Sequence, residues 1–272
     1  MVDDDRTTRH LLQGLLKSAG FSVIMAGDGQ EALKHLDRKP CDLVLLDVWM
    51  PRMNGLEVLA RLRERSSPPR VVVMTSDDTP ETLLRAVREQ AYDYVTKPVE
   101  PAELVARLNE ALDAPAASAP IEVVSAKPDW VELVVPCERR SAERIQGFLA
   151  RLEADLPEDV QDSVGRVFRE LLLNAIEWGG RLDPSRSVRI SYLRARRMLL
   201  YRISDPGPGF RFEELNHAAV NNPADRPFDH ALVREEKGLR PGGLGILLAR
   251  AMVDELIYNE RHNEVVFVKY LD

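Results

Sequence analysis

The first 114 residues predict an α/β fold, a doubly wound parallel sheet of five strands, and the rest of the chain predicts a second unit of helices and strands. Short, nearly continuous apolar runs alternate with helical periodicity from Met1 to Leu112, the pattern of a sheet covered on both faces. The stretch Asp113-Ala-Pro-Ala-Ala-Ser-Ala-Pro120 then breaks all periodicity and reads as a linker. The length of 272 residues exceeds what one hydrophobic core usually organises.

In chain order, Met1-Val2 is a strand stub ending in Asp3-Asp4-Asp5, and Leu11, Leu12, Leu15 and Leu16 form a helical stripe running to Gly20. Residues 21–25 read as a strand, 30–36 as a helix, 42–46 as a buried strand ending at Asp47, and 56–62 as a helix. A strand over 70–74 ends at Thr75, a helix covers 81–89, a short strand over 92–95 ends near Lys97, and a helix spans 100–112.

Ligands of such sheets sit at the carboxyl ends of the strands. Asp3, Asp4, Asp47, Thr75 and Lys97 all fall there. Each alone fits a strand-end cap or a solvated loop charge; all on one rim point to a site. Converging carboxylates repel one another unless a divalent cation offsets the charge. A carboxylate can attack a phosphoryl donor to give an aspartyl phosphate, while Mg²⁺ and an ammonium neutralise charge on the transferring group.

The runs Val2-Asp-Asp-Asp5, Leu45-Leu-Asp-Val-Trp-Met-Pro51 with Gly55, Met74-Thr75 and Tyr94-Val-Thr-Lys-Pro98 resemble response-regulator receiver domains, over residues 1–114. The resemblance implies that Asp47 is the phosphoacceptor, that Asp3 and Asp4 hold Mg²⁺ with it, and that Thr75 and Tyr94 are switch positions. It also implies that Lys97 contacts the phosphate and that a cognate histidine kinase is the donor. Only two residues precede the acids, against ~5–6 in a typical strand, so either the chain starts late or the sheet tolerates a stub.

Residues 115–128 are expected to be linker and 129–272 the second unit. Residues 130–135 alternate as a strand. Ser141 is the expected N-cap of a helix whose stripe is Ile145, Phe148, Leu149 and Leu152, a core face first and a homodimer face second. A further helix begins at Leu156-Pro-Glu-Asp-Val160. Strands over 188–193 and 198–204 bracket a basic turn at 194–197, read first as a solvated face and second as a contact for an acidic partner, and 213–239 is a long polar loop. A helix is expected over 247–256.

Three motifs carry chemistry here. In Glu170-Leu-Leu-Leu-Asn-Ala-Ile-Glu-Trp-Gly-Gly180, Glu170 and Asn174 lie one helical turn apart, and a carboxylate beside an amide suits a Mg²⁺–phosphate site. A solvated helix face is the plainer reading of that pair alone. Asp205-Pro-Gly-Pro-Gly-Phe210 follows an apolar strand; glycines let backbone approach a ligand, and the acid can accept a hydrogen bond from an exocyclic amino group such as that of adenine. Arg240-Pro-Gly-Gly-Leu-Gly-Ile246 opens a helix, a junction whose free N–H groups cradle anions.

In this order the motifs resemble the N, G1 and G2 boxes of the ATPase fold shared by gyrase, Hsp90, histidine kinases and MutL, and most closely the anti-sigma-factor serine kinases. That resemblance covers residues 129–272 and implies an α+β two-layer sandwich. It also implies ATP and Mg²⁺ as cofactors, and a sigma factor or an anti-sigma antagonist bearing the substrate serine as partner. By it Glu170 is the general base and Asn174 holds Mg²⁺. Asp205 reads adenine, Gly207 and Gly209 give backbone access, Gly243 and Gly245 cradle phosphates, and 213–239 is the lid. Such kinases often carry His-Gly after the N box, where this chain has Trp178-Gly179.

A formal net charge of −7 argues against generic nucleic-acid binding. No apolar run reaches the ~18 residues of a membrane span, and two widely spaced cysteines, Cys41 and Cys137, fit a reducing cytoplasm better than a disulfide or zinc framework. His217 and His230 lack the further ligands a metal site needs. The expected function is a response regulator whose aspartyl phosphorylation controls a protein serine kinase, with an ATP-holding partner switch as the alternative. A hybrid histidine kinase is disfavoured, because residues 113–140 contain no histidine.

Overall fold

A computed structural model describes residues 1–77, 79–113, 121–127, 129–215, 218–222, 226, 228–236 and 243–271. The chain divides into two compact units, Met1–Ser118 and Ala119–Asp272.

The first unit contains α1 (Arg6–Ser18), α2 (Gly29–Arg38), β1 (Leu43–Asp47), α3 (Gly55–Arg63), β2 (Arg70–Thr75), α4 (Pro80–Arg88), β3 (Asp93–Thr96) and α5 (Pro101–Asp113). Side chains of Asp5, Asp28 and Asn54 cap α1, α2 and α3 by accepting from Thr8, Glu31 and Glu57 N–H groups, which fixes where each helix starts. The ladder runs β1-β2-β3, all parallel. On one face Leu45, Val72, Met74 and Val95 pack with Leu16 of α1 and Leu104, Leu108 and Ala111 of α5. The alternate residues Val44, Leu46, Val71 and Val73 are equally buried, as period-two geometry with both faces covered requires.

Two of the five expected strands are reduced. Residues 21–25 join no ladder, and Val2 alone bridges Ala26 and Leu46 in parallel. Its N–H donates to Leu45 O and its carbonyl accepts from Asp47 N–H, both at 2.9 Å. A cavity of about 390 Å³ is lined by Met1, Val23, Ile24, Leu43 and Leu45.

The second unit contains β4 (Glu122–Lys127), β5 (Trp130–Pro136), α6 (Arg139–Leu152), α7 (Glu158–Asn174), a π-helical turn (Ala175–Gly179), β6 (Ser187–Ala195) and β7 (Met198–Ser204). Two 3₁₀ turns (Phe212–Glu214 and Ala219–Asn221), α8 (Asp229–Glu236), α9 (Gly245–Met252), β8 (Glu255–Tyr258) and β9 (Glu264–Tyr270) follow. The sheet order is β4-β5-β6-β7-β9-β8, every pair antiparallel. Helix α6 packs on β5, α7 on β7 and β9, and α9 on β8. At the centre Tyr201 stacks on Phe267 at 4.8 Å and meets Phe168 and Tyr192 at 5.1 Å.

Several expectations change. The segment 115–128 is not all linker: its residues 122–127 form edge strand β4, whose polar, half-exposed sequence hid it. Ser141 is not the N-cap; α6 begins at Arg139, and the buried Ser141 hydroxyl donates to Glu138 Oε1 at 3.2 Å. The helix expected over 247–256 spans Gly245–Met252 instead, because Glu255–Tyr258 pairs with β9. Arg194 is not in a solvated turn; it lies in β6 and forks onto both Asp155 oxygens at 2.7 Å. The polar stretch 213–239 carries both short turns and α8. There His230 is buried and its ring Nδ1 lies 2.6 Å from Asn222 Nδ2. His217 lies outside the described residues.

Candidate functional site

In the first unit the sheet delivers its polar residues to one rim. Asp47 closes β1 and Thr75 closes β2; Lys97 follows β3, its N–H bonded to Thr75 O at 2.7 Å. Asp3 and Asp4 follow the bridging Val2. Ligand oxygens of Asp3, Asp4 and Asp47 lie within 4.8 Å of one another, and the Lys97 ammonium is 2.8 Å from both Asp3 Oδ2 and Asp47 Oδ1. Asp3, Asp47 and Thr75 are buried. Burial raises the Asp47 carboxyl above the ordinary carboxylate range, with Lys97 pulling it down and Asp3 and Asp4 pushing it up. Burial works against the Lys97 ammonium too, but its bonds to Asp3 and Asp47 outweigh that and its pKa is raised. Thr75 Oγ1 accepts from Asp77 N–H at 3.0 Å. A Cβ on Gly55 would lie 2.1 Å from Asp47 O, so only glycine lets α3 start against the acid-bearing strand end. Tyr94 is buried on β3. Three clustered carboxylate oxygens are the donor set a hard divalent cation such as Mg²⁺ prefers, water completing the shell.

The second unit holds a cavity of about 550 Å³ lined by Glu170, Asn174, Trp178, Gly179, Asp205, Gly209, Gly243 and Gly245. A Cβ on Gly245 would lie 2.9 Å from Glu170 Oε2 and 3.5 Å from Asn174 Nδ2. The start of α9 therefore rests directly on the carboxylate–amide pair. Gly243 has φ +92° and Gly209 φ +86°, conformations open to glycine. Gly207 does not line the cavity but stands behind Asp205, donating its N–H to Asp205 Oδ1 at 2.7 Å. Burial raises the Asp205 carboxyl, opposed by that bond and by Arg186.

Sequence reasoning missed how the N-box helix ends. Gly179 and Gly180 do not simply close α7; the helix relaxes into a π turn, a feature frequent at functional sites. That turn brings Gly179 so close to Asp205 that a Cβ would sit 2.2 Å from its Cγ. Only the glycine pair hinted at this. Arg181, with φ +60°, also lines the cavity.

A parallel sheet with an acid rim in one unit and a glycine-walled cleft in the other define a signalling protein of receiver type with a nucleotide-binding type of output. Family comparison agrees: the response regulator receiver domain matches residues 1–109, and the histidine kinase-like ATPase domain matches residues 135–269. The chain belongs to the response-regulator family, with a receiver domain followed by a histidine kinase-like ATPase domain.

The DNA-binding response regulator MtrA of Mycolicibacterium smegmatis is 35% identical over 204 residues, covering 72% of this chain and 86% of that protein. The transcriptional regulatory protein CpxR of Escherichia coli is 42% identical over 112 residues, covering 41% of this chain and 47% of that one. The chemotaxis protein CheY4 of Vibrio cholerae, a solved structure, is 30% identical and covers 41% of this chain and 94% of that one, with a TM-score of 0.40. Among the described residues no helix is long and apolar enough to cross a membrane.

Proposed function

We propose that phosphorylation of Asp47 by a cognate histidine kinase controls an ATP-dependent protein serine kinase in the second unit, which acts on an anti-sigma-type antagonist protein. The observation that carries this reading is the meeting of Glu170, Asn174, Asp205 and Gly245 around one cavity. In the receiver, Asp47 is the nucleophile. Lys97, already bonded to it, balances charge on the arriving phosphoryl group, and Thr75 hydrogen-bonds the product. Asp3 and Asp4 would hold Mg²⁺ with Asp47. In the second unit Asp205 accepts from the adenine amino group, and the backbone at Gly243 and Gly245 receives phosphate oxygens with the positive end of α9. Asn174 would hold a second Mg²⁺, which neutralises phosphate charge when bound. Glu170 takes the proton of the substrate hydroxyl.

A second reading rests on Trp178, which lines the cavity where related kinases often carry histidine. In it the domain holds ATP and sequesters a sigma factor or antagonist without transferring phosphate. The test is incubation of the full chain with labelled ATP, Mg²⁺ and candidate antagonists, with and without a small phosphodonor. A kinase labels a partner serine and loses that labelling in Glu170→Gln while still binding nucleotide. Nucleotide binding with no labelled partner favours the switch.

A further inference from the structure

The turn between β8 and β9, residues 259–263, has no part in the reading above, yet it grips both ends of the Asp205–Phe210 loop. At one end Asn263 O accepts the Asp205 N–H at 2.8 Å, and Asn263 Nδ2 reaches Asp205 O at 3.4 Å and Gly207 O at 3.3 Å. At the other end Arg261 O accepts the Phe210 N–H at 3.2 Å and fills the space a Cβ on Gly209 would need, 1.7 Å away. His262, at φ +56°, places Nδ1 2.8 Å from Phe210 O. A carbonyl can only accept, so Nδ1 carries the proton there. The His262 ring also lies 5.2 Å from Phe210 and 4.8 Å from Phe212.

The turn is itself braced. Asn259 Nδ2 donates to Asn263 Oδ1 at 2.9 Å, and Asn259 Oδ1 accepts from Asn263 and Glu264 N–H groups at 3.1 and 3.2 Å. Tyr258, His262 and Asn263 line the same cavity as Asp205. Within the loop Gly207 N–H bonds Asp205 Oδ1, and Arg186 donates to Pro206 O; the turn at 259–263 holds its two ends.

We propose that His262 and Asn263 are positioning residues for nucleobase recognition: they fix the Asp205–Phe210 loop so that the Asp205 carboxylate meets an amino-bearing purine edge. This rests on the ATP-binding reading. A carboxylate held in place accepts from the 6-amino group of adenine and repels the 6-oxo group of guanine, so the turn governs discrimination as well as affinity.

The experiment is calorimetric titration of the full chain with ATP and with GTP, both with Mg²⁺, for the unaltered protein, Asn263→Ala and His262→Phe. His262→Phe keeps the ring stack and loses the bond to Phe210 O. Each variant is expected to weaken ATP binding about tenfold, the scale of one or two hydrogen bonds, and to lower the ATP-to-GTP preference while its melting transition is retained. A purely structural role would not move that preference. If one variant fails to fold, the other carries the test. Unaltered preference in a folded variant overturns the inference and leaves the nucleotide reading standing; failure of the unaltered protein to bind ATP overturns both.

Discussion

Replacing Gly179 by alanine tests the role of the Asp205 carboxylate in ligand recognition. The new methyl carbon would sit 2.2 Å from Asp205 Cγ and Oδ1, far inside the ~3.5–4.0 Å of ordinary contact. Gly179 does not have positive φ, so alanine fits its own backbone, and the strain falls on Asp205, whose Cβ would lie 2.6 Å away. Moving that side chain breaks its 2.7 Å bond from Gly207 N–H and carries the carboxylate away from the base. A hydrogen bond to a charged acceptor is worth about 1.5–3 kcal/mol, so ATP affinity should fall roughly 10- to 150-fold. Stability should fall as well, by about 1–3 kcal/mol, because Asp205 Cβ lies 2.6 Å from the new atom and no rotation of its side chain moves it away; the roughly 0.5–1 kcal/mol that alanine gains over glycine in a helix offsets only part of this. Gly165→Ala on α7 is the control, since a Cβ there meets nothing within 4 Å. Titration calorimetry with ATP and Mg²⁺, beside thermal melting, reads both quantities. Undiminished ATP affinity in Gly179→Ala would refute the assignment of Asp205 to the base.

Burial raises the Glu153 carboxyl to about 7 from 4.5, against the hydrogen bond it accepts from Tyr201. Its folded pKa lies above the unfolded one, so its contribution is intact below pH 4.5 and is lost as pH rises through about 7. Stability should fall by at most about 3 kcal/mol over that window, and Glu153→Gln should flatten the profile; parallel melting curves at pH 5 and pH 8 would refute the burial argument. Lys97→Met leaves the buried Asp3 and Asp47 without their shared ammonium. The first unit should lose about 1–3 kcal/mol, discounted from the cost of a fully buried pair because Lys97 is partly exposed. Mg²⁺ should then raise the melting midpoint more in the variant than in the unaltered protein; equal responses would count against a shared cation site. Fusing four alternating apolar residues ahead of Met1 should fill the cavity beside Val2 and extend its bridges to Ala26 and Leu46. Hydrogen exchange should slow at residues 22–25, and unchanged exchange would show that the groove does not accept a strand.

The placement of both residue clusters was legible because each sits where sequence is local. Asp47, Thr75 and Lys97 follow apolar runs, and a strand end is readable from its run. Glu170 and Asn174 needed only a helical period, and the glycine motifs only their spacing. Packing against distant segments was not legible. Residues 122–127 read as linker because an edge strand paired only to β5 needs no alternating apolar face. Residues 255–256 continue a helical pattern, but pairing with Phe267 and Val268 pulls them into β8. The closeness of Gly179 to Asp205 and the grip of His262 and Asn263 on the loop join residues far apart in sequence, and the π turn, although local, breaks the helical period that sequence reading relies on.

Calorimetric titration of the full chain with ATP and Mg²⁺, repeated on Asp205→Ala, tests the central claim most directly. Saturable binding to the unaltered protein, lost or strongly weakened in the variant, is the predicted result. An unaltered protein that takes up no ATP, or a variant that binds as tightly, would contradict it.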